Sequence, residues 1–243
     1  MSSEAVPIWD AETTEEVPSF KISISSHVNF QHARDVVLGT LDRHGFPRKD
    51  VIITICGRSN EPPELVETGP DSEVIIYVPT NCFEYSQAYA ISEFIDHPRV
   101  KADYYLTFHD TCIVLETFER CAKNFVLEMK RRDVDLLYAL RTKQFNLAGF
   151  TYRYLKEHGH NYNRDIDKPM GWVAEHGGYL SYLSFLPPER VGAMECEYFY
   201  QQGIPLYSDL IRHPIYVASM GIVKFVCNND ADVNPPWQER VRP

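Results

Sequence analysis

The run Val51-Ile52-Ile53-Thr54-Ile55-Cys56 is apolar at nearly every position. A strand that alternates apolar and polar residues can leave one face in water. A strand without alternation has to be covered on both faces. The chain must therefore supply layers above and below this segment, which points to a sheet between helices. The flanking sequence fits. Phe20-Lys21-Ile22-Ser23-Ile24 alternates as a strand does, and Ser25-Ser26-His27-Val28-Asn29 reads as a loop with Asn29 as an N-cap. Phe30, Ala33, Val37 and Leu41 then share one helical face, with Arg34, Asp35 and Asp42 elsewhere on the helix. Gly45 stops that helix, and Pro47 lies beyond it.

The alternation of element types continues. Pro62, Pro63, Gly69 and Pro70 mark a long irregular connection before the strand Val74-Ile75-Ile76-Tyr77-Val78. Tyr85, Ala88, Tyr89 and Ser92 form one helix face, Ile91 and Ile95 an adjoining one, and Pro98 closes the helix. Tyr104-Tyr105-Leu106-Thr107-Phe108 is a fourth strand running straight into His109-Asp110-Thr111. Phe118, Cys121, Ala122, Phe125, Val126 and Met129 follow at helical spacing, and residues 134–140 read as a fifth strand. Alternating strands and helices predict an α/β fold with a mostly parallel central sheet and helices on both faces. Ligands on such sheets bind beyond the C-terminal strand ends. Those ends carry Ser25, Ser26 and His27; Gly57, Arg58 and Ser59; Asn81; and His109, Asp110 and Thr111.

Beyond residue 140 the pattern is irregular. Residues 150–158 look like a short helix, Pro187-Pro188 introduces a helix over 189–202, and 215–226 contains a further strand. The first 18 residues form an acidic, polar tail with neither the basic start nor the apolar run of a signal peptide. No stretch is long and apolar enough for a membrane helix. The six cysteines show no C-x-x-C, which suggests buried thiols in a reducing, cytoplasmic setting. A net charge of −10 argues against a large nucleic-acid footprint.

A carboxylate at a strand end, as in His109-Asp110-Thr111, can hold a divalent cation that neutralises a diphosphate. The competing reading has Asp110 cap the next helix while His109 packs locally. An HD-type phosphohydrolase would need the pair on a helix with further ligands. Arg58 can reach a phosphate or a base, although a lone turn arginine is more often solvated. In Glu175-His176-Gly177-Gly178, His176 is a candidate metal ligand or substrate contact and Glu175 a candidate base; the bland alternative is a glycine-shaped loop. Glu195 and Glu197 are further candidate bases among apolar neighbours. Asp165 and Asp167 sit two apart, but the Gly and distal Glu of an EF-hand are missing. Phosphate-loop, G-x-G-x-x-G and G-x-S-x-G signatures are absent.

In their order along the chain, residues 20–140 resemble the GT-A glycosyltransferases, especially the inverting family 2-like group. The carriers are Ser25 to Asn29 after the first strand, Gly57-Arg58-Ser59 after the second, Asn81 with the helix from Tyr85 after the third, and the acidic triplet after the fourth. The resemblance implies a Rossmann-like GT-A domain with a nucleotide-sugar half at 19–140 and an irregular acceptor half at 141–243, packed as one. It implies transfer of a sugar from a UDP- or GDP-linked donor to a hydroxyl of a glycan or glycoconjugate. Ser25, Ser26, His27, Gly57, Arg58, Asn81, Tyr85 and His109 would bind the nucleotide. Asp110, Thr111 and His176 would hold Mn2+ or Mg2+, and Glu175, Glu195 or Glu197 would act as base. The triplet departs from the family's D-x-D by one carboxylate. Lys168-Pro169-Met170-Gly171-Trp172 is similar to a feature of some retaining families, at different spacing. Two alternatives stay open. One is a non-catalytic nucleotide-sugar-binding or assembly module, favoured by the missing second acid. The other is a sugar nucleotidyltransferase, for which Ser25-Ser26-His27 is a poor substitute for the expected Gly-rich basic loop.

Overall fold

A computed structural model describes residues 11–58, 61–79, 85–140, 147–163, 187–194, 196, 199–200 and 211–227. Its centre is an eight-stranded sheet built from β1 (Phe20–His27), β2 (Val51–Cys56), β3 (Glu64–Glu67), β4 (Val74–Val78), β5 (Tyr104–His109), β7 (Leu136–Tyr138), β8 (Ala148–Thr151) and β9 (Val191–Ala193). The order is β3-β4-β2-β1-β5-β8-β7-β9. Strands β4, β2, β1 and β5 are mutually parallel, as are β7 and β9, while β3 and β8 run against their neighbours. A second, antiparallel sheet has the order β10-β11-β12-β6, with β6 (Cys112–Val114), β10 (Phe199–Tyr200), β11 (Ile211–Val217) and β12 (Ile222–Cys227).

Both faces of the central sheet are covered, as the unbroken apolar run of β2 requires. Ile22, Ile24, Val51, Ile53, Ile55, Leu106 and Phe108 pack with α1 (Gln31–Arg43) and α3 (Phe118–Arg132). Ile52, Cys56, Val74, Ile76, Val78 and Tyr105 pack on the other face with α2 (Ser86–Glu93) and α4 (Tyr152–His158). Each residue of β2 is buried, because its odd and even positions serve different cores. Cys56, Cys112, Cys121 and Cys196 are buried thiols, and burial pushes Cys112 up to about 12, which leaves it unreactive at neutral pH.

Several sequence expectations change. Ser25, Ser26 and His27 continue β1 instead of forming a loop, because parallel partners exist on both sides. The helix N-cap is Phe30; the Asn29 N–H donates to His27 Nδ1 at 3.3 Å, which places Asn29 before the helix. The irregular connection before β4 contains β3, a short edge strand with a glutamate at each end, a composition that discourages further pairing. β6 intervenes between the acidic triplet and α3. β8 precedes α4, whose start is capped by Thr151: its Oγ1 accepts from the Tyr154 N–H at 3.1 Å. The expected helix over 189–202 is instead a turn at Pro188–Arg190 followed by β9 and β10. Val191 and Gly192 are poor helix formers, and the open edge of β7 offers them a ladder. The single strand expected over 215–226 is the hairpin β11–β12, turned at Gly221 with φ +63°.

Asp135 ties the later strands to the sheet. It is buried at the start of β7 and accepts from Thr151 Oγ1 at 2.7 Å, Arg153 Nη2 at 2.9 Å and Arg190 Nε at 2.9 Å. One carboxylate thus fixes β7, the end of β8 and the turn before β9. Gly39 contributes the opposite effect. It is exposed in mid-α1, and a methyl group there would meet nothing within 4 Å. Gly39→Ala is expected to raise the unfolding free energy by about 0.5–1 kcal/mol, read as a higher denaturation midpoint at unchanged slope.

Candidate functional site

The parallel block places the C-terminal ends of β1, β2, β4 and β5 on one edge. Ser25 stands in register with Thr54 on one side and His109 on the other, and His27 stands opposite Cys56. The chain leaves the central sheet at His109 and enters the second sheet at Cys112, so Asp110 and Thr111 form a two-residue junction pinned at both ends. The Asp110 N–H donates to the Ser25 carbonyl at 3.0 Å, which prolongs the β1–β5 ladder.

This junction turns Asp110 inward. It is 3% exposed, and Ser26 Oγ donates to its Oδ2 at 2.6 Å. Arg34, near the start of α1, curls back over the strand end. Its Nη1 donates to Ser26 Oγ at 3.1 Å and to the His27 carbonyl at 2.7 Å. Burial pushes the Asp110 carboxyl above the ordinary carboxylate range, against the opposing pull of the Ser26 hydrogen bond, His109, Arg34 and the Thr111 N–H. Burial also draws Arg34 below its usual value, and Asp110 partly restores it. The charges of Asp110 and Arg34 are thus coupled through one serine hydroxyl.

His27 caps the crevice between β1 and β2. Gly57 has φ +97°, and a Cβ on it would come within 2.5 Å of His27 Nε2, so the imidazole lies directly on the glycine backbone. Burial, and then Arg34, hold His27 below the usual imidazole value, so the ring is neutral near pH 7. Its Nδ1 accepts from the Asn29 N–H, which assigns the ring proton to Nε2. His109 is half-buried, with Nδ1 3.3 Å from Ser25 Oγ.

The other expected residues lie further apart. Arg58 Nε is 3.3 Å from Glu61, its Nη1 donates to Glu64, and its guanidinium lies 4.2 Å from the Tyr77 ring centroid, toward the β3–β4 side. Tyr85 is buried beneath α2 and stacks on Tyr162, with centroids 5.6 Å apart. Asn81, Glu175, His176, Glu195 and Glu197 lie outside the described residues. Arg34 is the site residue that the sequence reading missed. The signal was its place one turn into a helix that starts at a strand end, from which a long side chain can fold back.

A divalent cation fits this junction poorly. One Asp110 oxygen already accepts the Ser26 hydroxyl, the residue is 3% exposed, and Arg34 stands behind the serine. Among the described residues no group of three or more His, Cys, Asp or Glu side chains could hold a metal ion. A cavity of about 810 Å3 opens at the opposite edge of the sheet, lined in part by Lys101, Asp103, Asp135, Arg153 and Arg190. Several of its charges are spent on one another, since Asp135 takes both arginines.

No protein-family model matches the chain, and no curated protein matches it. Among the described residues no helix is long and apolar enough to cross a membrane. Among solved structures, the chain is similar to a mannosyltransferase from Pyrobaculum calidifontis in complex with GDP-Man and Mn2+, with a TM-score of 0.42 and 10% identity over 77% of this chain and 59% of that one. It is also similar to S. aureus TarS, with a TM-score of 0.42 and 10% identity over 72% of this chain and 35% of that one. The chain therefore spans less than two thirds of either.

Proposed function

We propose that the chain is a glycosyltransferase that binds a nucleotide-diphosphate sugar at the C-terminal edge of the central sheet and passes the sugar to a hydroxyl acceptor. The observation that carries this reading is the Ser26–Asp110–Arg34 cluster, formed where the ends of β1 and β5 meet. On a parallel sheet this edge is where ligands enter. A buried carboxylate and a half-buried arginine sharing one hydroxyl are costly unless they serve charge chemistry there. Ser25, Ser26, His27, Gly57, Asn81 and His109 are proposed to line the nucleotide, with the neutral His27 ring against the base, while Arg58 and the buried Tyr85 support the edge from behind. Residues 19–140 would form the donor half and 141–243 the acceptor half.

The reaction is a displacement at the anomeric carbon. The acceptor oxygen forms its bond to that carbon as the carbon–oxygen bond to the diphosphate breaks, and a carboxylate takes the acceptor proton. Glu175, Glu195 and Glu197 are the candidates for that base. Glu195 stands in sequence between Met194 and Cys196, both buried just past the end of β9, which opens on the same edge. Negative charge on the departing diphosphate needs fixed donors in place before the bond breaks. The acceptor we favour is a glycan or glycoconjugate hydroxyl.

Isothermal titration of the full chain with UDP-, GDP- and other nucleotide-linked sugars tests the reading. Saturable binding of at least one donor is expected, followed by transfer or slow hydrolysis of its sugar. If every donor fails to bind, the proposal is wrong. Binding without turnover under any acceptor would support a non-catalytic module in its place.

A further inference from the structure

We propose that Arg34 takes the place of a divalent cation at this site, so that the donor diphosphate is held by a guanidinium and binding needs no metal. This inference rests on the nucleotide-sugar reading above.

One oxygen of the carboxylate is already engaged. Asp110 is 3% exposed, and its Oδ2 accepts the Ser26 hydroxyl at 2.6 Å. A magnesium ion takes six oxygen ligands in a near-octahedral shell. Recruiting Asp110 to such a shell would put a dication beside Arg34, which bonds the same serine at 3.1 Å. Like-charge repulsion opposes that arrangement. The described residues offer no second and third carboxylate, imidazole or thiolate to compensate.

The guanidinium, by contrast, is half used. Its Nη1 is anchored to the His27 carbonyl at 2.7 Å and to Ser26 Oγ. These two bonds fix the group at the strand end. No acceptor among the described residues takes a hydrogen bond from Nε or Nη2. Those two nitrogens form the side edge of the fork, the geometry that grips two oxygens of a phosphate at once. Arg34 is half-buried, so its guanidinium is partly screened from bulk water. Asp110 then acts as a positioning residue. Through Ser26 it holds the cation facing the crevice and keeps a counter-charge behind it when the diphosphate is absent. As the sugar leaves, the charge growing on the diphosphate meets a donor that needs no reorganisation.

The test is calorimetry on the full chain with UDP and GDP as probes, once with EDTA and once with Mn2+. For the nucleotide that binds, Kd should agree within about twofold between the two conditions, since a charge-assisted bond to arginine needs no ion. Arg34→Gln should weaken that nucleotide by roughly tenfold or more under both conditions, with no rescue by Mn2+. The matching nucleoside, which lacks phosphate, should bind parent and variant alike. Arg34→Lys should recover only part of the loss, because an ammonium cannot fork. A tenfold or larger loss in EDTA that Mn2+ restores overturns the inference while leaving nucleotide binding intact. Equal weakening of nucleoside and nucleotide by Arg34→Gln also overturns it, by showing that Arg34 only shapes the strand end. If the variant fails to fold, the EDTA and Mn2+ arms on the parent still decide. If neither nucleotide binds under either condition, this inference falls, and the functional reading falls with it once the other nucleotide-linked donors have failed as well.

Discussion

Asp110→Asn is expected to leave the protein at least as stable as the parent at pH 7 and to lower sugar transfer by roughly a hundredfold, the usual scale for removing one charged group from a preorganised site. The two halves of this expectation have one cause. Burial is the largest influence on Asp110 and disfavours its charged form. Between the ordinary carboxylate range and its raised value, the folded protein keeps a proton that the unfolded chain has released. Stability from this group therefore falls as pH rises through that window, and the full cost is present above it. Asparagine carries no charge to desolvate and can still accept from Ser26. The advantage of the variant should be greatest near neutral pH and shrink in acid. Melting curves at a series of pH values, with transfer rates at neutral pH, check both parts. If Asp110 merely capped local structure, the variant would be less stable at pH 7 and transfer would persist. That result would return the residue to the bland reading.

The parallel block and its edge were legible in the sequence because their signals are local and strong. An apolar run such as Val51–Cys56 has few other homes, and β1, β4 and β5 have the alternation or run length of strands. Parallel strands then force their C-terminal ends onto one edge, which the sequence implied; that Ser26 meets Asp110 depends on β1 and β5 being neighbours, which the structure supplies. The residues that escaped depend on tertiary context. β3 and β9 are short strands held by a neighbour's open edge, and nothing in Glu64–Glu67 or Val191–Ala193 demands a strand in isolation. Residues 189–202 read as a helix because Pro187-Pro188 introduces the segment and Gly203 ends it. Arg34 reads as a solvent-facing helix residue, and only the curl of its side chain over Ser26 makes it part of the site. Arg58 was a candidate contact for a phosphate or a base, yet Glu61 and Glu64, a few residues on, hold it over Tyr77. Local acids can thus divert an arginine that loop position alone would assign to a ligand.

Gly159→Ala is expected to destabilise the fold by about 1–3 kcal/mol, the range for overpacking a tight contact, and to lower Tm by roughly 2–12 °C in a chain of this size. Gly159 opens a turn of 3-10 helix, Gly159–Tyr162, directly after α4. It lies against α2 so closely that a Cβ would stand 2.6 Å from the Ala88 carbonyl oxygen and 2.5 Å from Ser92 Cβ. The first of these is backbone, and Ala88 and Ser92 lie one helical turn apart on the same face, so rotating a side chain cannot relieve the contact. The turn must move away from α2 as a body. That motion would carry Tyr162 with it. Tyr162 stacks on Tyr85 and shares a hydroxyl–hydroxyl hydrogen bond with Tyr154, all three rings being buried. Loss of this packing loosens the start of α2, which follows β4 at the candidate site's edge. The variant should therefore show both a lower Tm and weaker donor binding, whereas Gly39→Ala, with open space around its Cβ, should show neither. A Gly159→Ala protein that melts with the parent would mean that α2 and the turn part at no cost.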